Sequence, residues 1–418
     1  MAIFSATSPA KPRRDTFVFI EIFSREGGIQ SYIQDVLLAY AQVVPSSSAA
    51  DIFLLRDRVD DIPAVFLHRF RLHCFQSRWP MMARVKLGVA LLLHLLTRRP
   101  RHIFCGHINL AALVYRLSQW TGIAYTVMTY GKEVWFPLKS AEQTALRQAN
   151  RIWTISRYSR DLACATNQID RSRVDLLPCI VDESEFQPGA PSQTLRKRYC
   201  LENSRVLMTV ARLWKGDPYK GVDVTIRALP AIAKAYPNVK YLVIGRGDDQ
   251  PRLAQLAQEL GVTDRVIFAG FVPTDQLVDH YRLADVYVMP SKEGFGIVYL
   301  EAMACGIPVI AGDEDGSRDP LQDGRLGWQV PHRDPAAVGA ACIEALAGED
   351  QRCSGTWLRE QTIEKFGRQS LARRLQTLLD IAQSDWQGSA LYWQDTNVDA
   401  SQSDCSNDQE ARPREETA

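Results

Sequence analysis

At 418 residues, with 46% hydrophobic and 23% charged residues, the chain has a globular composition and the length of two domains rather than one core. Its formal charge of +1 gives a nucleic-acid role no support from the total. Nine scattered cysteines, never spaced C-x-x-C, argue against a zinc site or a disulfide framework and for a reducing compartment.

Residues 1–15 read as a disordered leader without the apolar core of a signal peptide. "TFVFIEIF" (Thr16 to Phe23) is a strand-like run closed by "SREGG". After it, Ile29, Ile33, Val36, Leu37 and Tyr40 recur at helical spacing. "DIFLL" from Asp51, "RHIFCGH", "AYTVMTYG", "RIWTIS" and "VDLLPCIVD" are further short β-type runs alternating with helix-like segments. Within this half, Phe66 to Cys105 carries eight Lys or Arg and no acid, whereas the tail after Ser384 is acidic and polar. A basic stretch of this kind suits an anionic membrane surface, and equally a solvated face. Its "KLGVALLLHLLTRR" has ten uncharged residues, Leu87 to Leu96, against the roughly twenty that a span needs. It reads as a buried or interfacial helix.

At "ESEFQPGAPSQTLRKRY" the composition shifts, and Pro188, Gly189 and Pro191 mark a linker over 187–203. Strand-like runs then resume: "RVLMTVARL", "VKYLVIGRGDD", "RVIFAGFV", "ADVYVMPS", "PVIAG" and "GWQV". Helices lie between them, one ended by Pro237 and one opened by Asp334 as cap with Pro335 behind it. The expected fold is α/β: two tandem Rossmann-like, doubly wound domains over 16–186 and 204–370, facing across a cleft. A helix over 371–390 returns to the first domain, and 395–418 is a disordered acidic tail.

The candidate chemistry centres on "SKEGFGIVYLEAMACGIPVIAG", Ser291 to Gly312. Glu293 precedes Gly294, Phe295 and Gly296, where the backbone can approach a ligand and a helix begins. A helix N-terminus attracts phosphate. Glu301 stands on a helix otherwise apolar around it, at Ile297, Val298, Ala304 and Cys305. Two carboxylates flanking an anion site suit a ligand with hydroxyls on both sides of a diphosphate. The same pair also reads as a helix-start carboxylate and an ordinary buried ion pair, and spacing does not separate the two. Arg212, with Lys220 or its competitor Lys215, could neutralise the phosphates, or all three could be loop charges. Gly27 and Gly28 could offer backbone N–H groups from the first domain, or form a plain turn. "VIGRGDD" with Gly245 and "FAGFVP" with Phe271 and Val272 could line a base slot. Gln250 at the third glycine position of "GRGDDQ" argues against a nicotinamide enzyme.

From Arg205 to Val330 the chain resembles the donor domain of glycosyltransferase family 4, retaining enzymes of the GT-B fold. "VARLWKGDPYKGVD", "YLVIGRGDD", "RVIFAGFVP", "ADVYVMPSKEGFGIVYLEAMACGIPVIAG" and "DGRLGWQV" carry the resemblance, with a looser match at "GGIQSYIQDV" and "GHINLA". It implies that Glu293 holds the donor sugar near its 3- and 4-hydroxyls and that Glu301 binds the ribose. Arg212 and Lys220 would neutralise the diphosphate, with Gly28 against it from the other domain. Two departures stand out. In "GDEDGSRD" Asp315 replaces the first Gly of the family's Gly-Gly-x-x-Glu loop and Asp319 its Glu, while Asp313 and Asp315 mimic a D-x-D metal motif and are read as loop. In "MTYGKEVW" Tyr130 stands where the family often has His, which leaves His107 as the other candidate near the sugar and Trp135 as a surface for acceptor or core.

The expectation is a retaining, metal-independent hexosyltransferase using a UDP- or GDP-linked mannose- or glucose-type sugar, without further cofactor. Its acceptor would be a saccharide or a lipid-linked saccharide in cell-surface polysaccharide or glycolipid synthesis. The expected location is cytoplasmic, peripheral on the inner face of the membrane. The alternatives are a sugar-nucleotide 2-epimerase of the same fold and a non-catalytic nucleotide-sugar binding subunit.

Overall fold

A single buried carboxylate decides where the first strand stops. β1 is Asp15–Phe19, every residue buried, and it ends four residues before the expected Phe23. Asp57, fully buried, accepts the N–H groups of Ile22 at 2.8 Å, Phe23 at 3.0 Å and Ser24 at 2.8 Å, which draws the chain out of the sheet. At its other end the strand starts inside the expected leader. Asp15 is buried and accepts the Tyr40 hydroxyl at 2.8 Å. The structure, a computed structural model, describes residues 14–25, 27–45, 48, 50–216 and 218–380. The rest of the leader, the segment from 381 and the 395–418 tail lie outside the described residues.

β1 is joined by β2 (Asp51–Leu54), β3 (Arg71–Cys74), β4 (His102–Cys105), β5 (Tyr125–Thr129), β6 (Arg151–Thr154) and β7 (Val174–Leu176). They form a seven-stranded sheet in the order β3-β2-β1-β4-β5-β6-β7, all neighbours parallel. β3 was not expected. Its "RLHC" is no apolar run, because an edge strand of a parallel sheet need not be buried on both faces. Central strands must be: on β1, Phe17 and Phe19 enter one hydrophobic cluster and Val18 the other.

The second sheet holds β8 (Arg205–Val210), β9 (Val239–Ile244), β10 (Val266–Gly270), β11 (Val286–Met289), β12 (Val309–Gly312) and β13 (Trp328–Val330), all six at the expected runs. Its order is β10-β9-β8-β11-β12-β13. In each sheet the order of strand addition reverses beside its first strand, between β1 and β4 and between β8 and β11. Ligands of doubly wound sheets bind at such switch points, beyond the carboxyl ends of the strands.

Two helices start there, Gly28–Val43 after β1 and Ile297–Ala304 after β11. The helix Arg368–Leu378 packs on Gly28–Val43 and buries Leu371, Ala372 and Leu375. Its Arg368 pairs with Asp182, in the segment that leaves the first domain. The crossover from β3 to β4 is the 19-residue helix Pro80–Arg98, nearly twice the apolar run noted in the sequence. Its Ala83, Leu87, Leu91 and Leu95, four residues apart, bury into the first domain.

Candidate functional site

Between the two sheets lies a cleft of about 370 Å³. Gly28, Ile29 and Tyr32 of the Gly28–Val43 helix line one wall, with Tyr130 after β5. Arg212 after β8, Lys220 and the run Glu293–Val298 line the other. A Cβ on Gly28 would meet no protein atom within 4 Å, so the space it leaves open is the cleft itself. Gly296, at φ 89°, starts the opposing helix in a conformation that L side chains avoid, and a Cβ there would lie 2.3 Å from the Tyr299 ring. Two helix N-termini thus face one cavity from opposite domains, and their unpaired N–H groups favour an anion.

The charged side chains of the cleft are coupled. Lys220 Nζ pairs with Glu293 Oε1, at side-chain exposures of 18% and 17%. Lys215, the competitor, lies outside the lining and its N–H donates to Asp248 at 3.0 Å. Glu293 is positioned through its backbone. Its N–H donates to Asp315 Oδ2, and its carbonyl accepts from Gly316 N at 2.9 Å. Asp315 also accepts the Ser317 N–H at 2.9 Å, and burial raises its carboxyl to about 6. Its carboxylate is therefore turned inward, beneath Glu293.

Glu301 does not line the cleft. It shares a helix face with Ile297 and Val298, which do. Burial pushes its carboxyl up to about 7, partly offset by the Tyr281 hydroxyl donating to Oε2 at 2.6 Å. Gly27 also sits outside the lining, its carbonyl accepting from Ser31 N at 3.0 Å. Gly245, Phe271 and Val272 do not line the cleft. A Cβ on Gly245 would fall 1.9 Å from the Ala211 carbonyl, so the close approach it permits is to β8's own continuation rather than to a ligand. Phe271 is 55% exposed, with the Arg246 guanidinium 4.8 Å above its ring. Together they form a cation–π pair at the surface.

Three first-domain expectations change. The Tyr130 ring lines the cleft, but its hydroxyl donates to the Gly106 carbonyl at 2.8 Å and is not aimed at a ligand. His107 lies away from the cleft lining and caps the helix Ile108–Thr121, Nδ1 accepting the Asn109 N–H at 3.1 Å. Burial lowers its pKa. Trp135 donates its indole N–H to Ser159 Oγ at 3.3 Å and packs edge-on to Tyr158. A Cβ on Gly294 would lie 3.5 Å from that indole and 3.1 Å from the Tyr130 carbonyl, so this glycine lets the domains close on each other.

Asp319 also departs from its expected place. It accepts the Arg157 N–H at 2.6 Å and pairs with the Arg157 guanidinium, which also reaches Asp323 at 2.9 Å. The residue standing at the family's Glu thus ties the second domain to the first. Across the same gap, Lys132 Nζ sits 3.5 Å over the Tyr219 ring. Sequence reasoning missed Asp57, Tyr281 and Asp315 as positioning groups. Each acts on a residue 20 or more positions away, so no local pattern marks them.

The family model described as Glycosyl transferases group 1 matches residues 204–348. A GDP-mannose-dependent alpha-(1-6)-phosphatidylinositol monomannoside mannosyltransferase of Mycolicibacterium smegmatis is 34% identical over 52% of this chain and 60% of its own. The protein of that name from Mycobacterium tuberculosis (strain CDC 1551 / Oshkosh) is 32% identical over 60% of this chain and 68% of its own. The chain therefore spans three-fifths to two-thirds of these relatives' length. Among solved structures, Anabaena Alr3699/HepE in complex with UDP superposes with a TM-score of 0.71 at 17% identity, over 88% of this chain and 99% of that one. That likeness is one of fold.

Proposed function

This chain belongs to the group 1 glycosyltransferases, of the GT-B, family 4 type, and from that premise we propose that it is a retaining hexosyltransferase acting on an NDP-sugar. The observation that carries the reading is the cleft, where two helix N-termini, Arg212 and the Lys220–Glu293 pair converge from both domains. Breaking the bond from the anomeric carbon to the diphosphate leaves negative charge on the departing oxygen. Arg212, Lys220 and the N–H groups at Gly28 and Gly296 supply fixed positive potential for that charge. A donor's hexose hydroxyls would take over Glu293 Oε1 as Lys220 turns to the phosphates. On the far side Glu301, once ionised, would accept from the ribose hydroxyls. In a retaining reaction the acceptor hydroxyl arrives on the face the diphosphate leaves. The first-domain wall at Ile29 and Tyr32 is the side from which it would come.

GDP-mannose is the first donor to test, since it is named for the relatives, and the acceptor class is a lipid-linked saccharide. The enzyme would then work at the cytoplasmic face of an anionic membrane. Labelled GDP-mannose and UDP-glucose, each with and without phosphatidylinositol mannoside, test the reading. Transfer or slow hydrolysis with an α-anomeric product by NMR supports it. Isomerised sugar, an inverted product, or saturable binding without turnover would overturn it.

A further inference from the structure

The helix Pro80–Arg98 is apolar on two opposite faces, and the fold covers only one of them. At about 100° per residue, Ala83, Leu87, Leu91 and Leu95 make the stripe packed in the core. Met82, Val85, Val89, Leu93 and Leu96 make a second stripe on the opposite side, each 48–56% exposed. Trp79, at the helix start, is 69% exposed. The next crossover helix, Ile108–Thr121, shows what an ordinary outer face looks like. Its exposed positions are Asn109, Arg116, Gln119 and Trp120.

We propose that this outer stripe is a membrane-docking surface, seated in the headgroup layer of an anionic bilayer with the helix lying in the membrane plane. The mean hydropathy of 1.4 over this helix meets a spanning criterion, but its inner face is locked into the β3–β4 crossover, so it can lie on a bilayer and not cross one. Charge selects the occupant. Arg78, Arg84, Lys86, Arg98 and Arg99 are exposed around the stripe, and no acid occurs from Phe66 to Cys105. Each such cation is attracted to an anionic leaflet. A second copy docked face to face would instead oppose these cations to their own like, with no acid in the segment to pair them. Trp79 adds the amphipathic ring that favours a headgroup boundary. The inference rests on the lipid-acceptor reading only for its purpose: it would bring the first domain to the surface that holds such an acceptor.

The test is co-sedimentation of the full chain with phosphatidylcholine vesicles, with and without phosphatidylglycerol. The wild type should bind the anionic vesicles, with affinity falling as salt rises. A Val89→Asp/Leu93→Asp variant should bind at least about tenfold more weakly. Arg84→Gln/Lys86→Gln should lose less and flatten the salt dependence. Unchanged melting and unchanged donor hydrolysis in solution verify that each variant is folded. Equal vesicle binding by the Asp variant overturns the proposal, and so does a wild-type dimer that the Asp variant converts to monomer without a change in vesicle binding. Vesicle binding without turnover of any nucleotide sugar would leave the docking surface standing and sink the proposed function; turnover without vesicle binding would do the reverse.

Discussion

Replacing Glu301 by Gln keeps the shape and the acceptor for Tyr281 but removes the charge. Burial holds the native carboxyl at about 7 against an ordinary value of 4.5. Between those values the folded chain keeps a proton that the unfolded chain releases, so wild-type stability falls as pH rises through the window and levels off above it. The full shift, 7 minus 4.5, corresponds to about 3 kcal/mol at 1.36 kcal/mol per unit. Part of this is already spent at pH 5, where an unfolded glutamate is mostly ionised. Glu301→Gln should therefore stabilise the apo protein by about 2–3 kcal/mol more at pH 8 than at pH 5. Asp35, which burial raises to about 8, and Asp315 are present in both chains and cancel in the difference. Urea unfolding of the two proteins at both pH values measures it. The same reasoning predicts that wild-type affinity for a nucleoside diphosphate weakens below pH 7, because the ribose hydroxyls need the ionised form, and that Glu301→Gln flattens this limb. A pH-independent stability difference, or an unaltered pH profile of binding in the variant, would refute the reasoning.

The Lys220–Glu293 pair should be non-additive: Lys220→Met and Glu293→Gln should each lower kcat/KM about 10²–10³-fold, while the double variant loses far less than the product, measured by a double-mutant cycle. Arg212→Ala should also lose turnover, and full activity in it would remove Arg212 from the site. Arg157→Ala should weaken the interdomain tie by about 1 kcal/mol, since half the pair is exposed, and raise the apo radius of gyration in X-ray scattering with smaller change once nucleotide is bound. Asp57→Ala should strand the buried Ile22 N–H, remove the acceptor of the part-buried Phe23 and Ser24 N–H groups, and cost about 2 kcal/mol by denaturant unfolding, with weaker nucleotide binding because the turn leading to Gly27 and Gly28 loses its support.

Much of this protein was readable in one dimension. Six strands of the second domain announced themselves as apolar runs: the central ones because burial on both faces leaves little place for polar residues, and the edge strands β10 and β13 because their sequences are mostly apolar all the same. That Glu293, Gly294, Gly296, Lys220 and Arg212 would share one cleft was legible because each lies in a turn beyond the carboxyl end of a strand, where doubly wound sheets open to ligands. β3 was not, since an edge strand tolerates Arg71 and His73. The early end of β1 depends on Asp57, more than thirty residues along the chain, and the retirement of Lys215 in favour of Lys220 depends on which loop charge faces the cleft.

The sequence alone determined the α/β class, the repeated domain and the chemical character of the cleft, because these follow from local periodicity and from residue type. Only the tertiary structure decided which groups meet: Tyr130's hydroxyl on Gly106, Asp319 on Arg157, Tyr281 on Glu301. It also decided which apolar face of Pro80–Arg98 is covered. A helix hydrophobic on both sides has no periodicity that says which side the core will take, and that choice belongs to the strands packed against it.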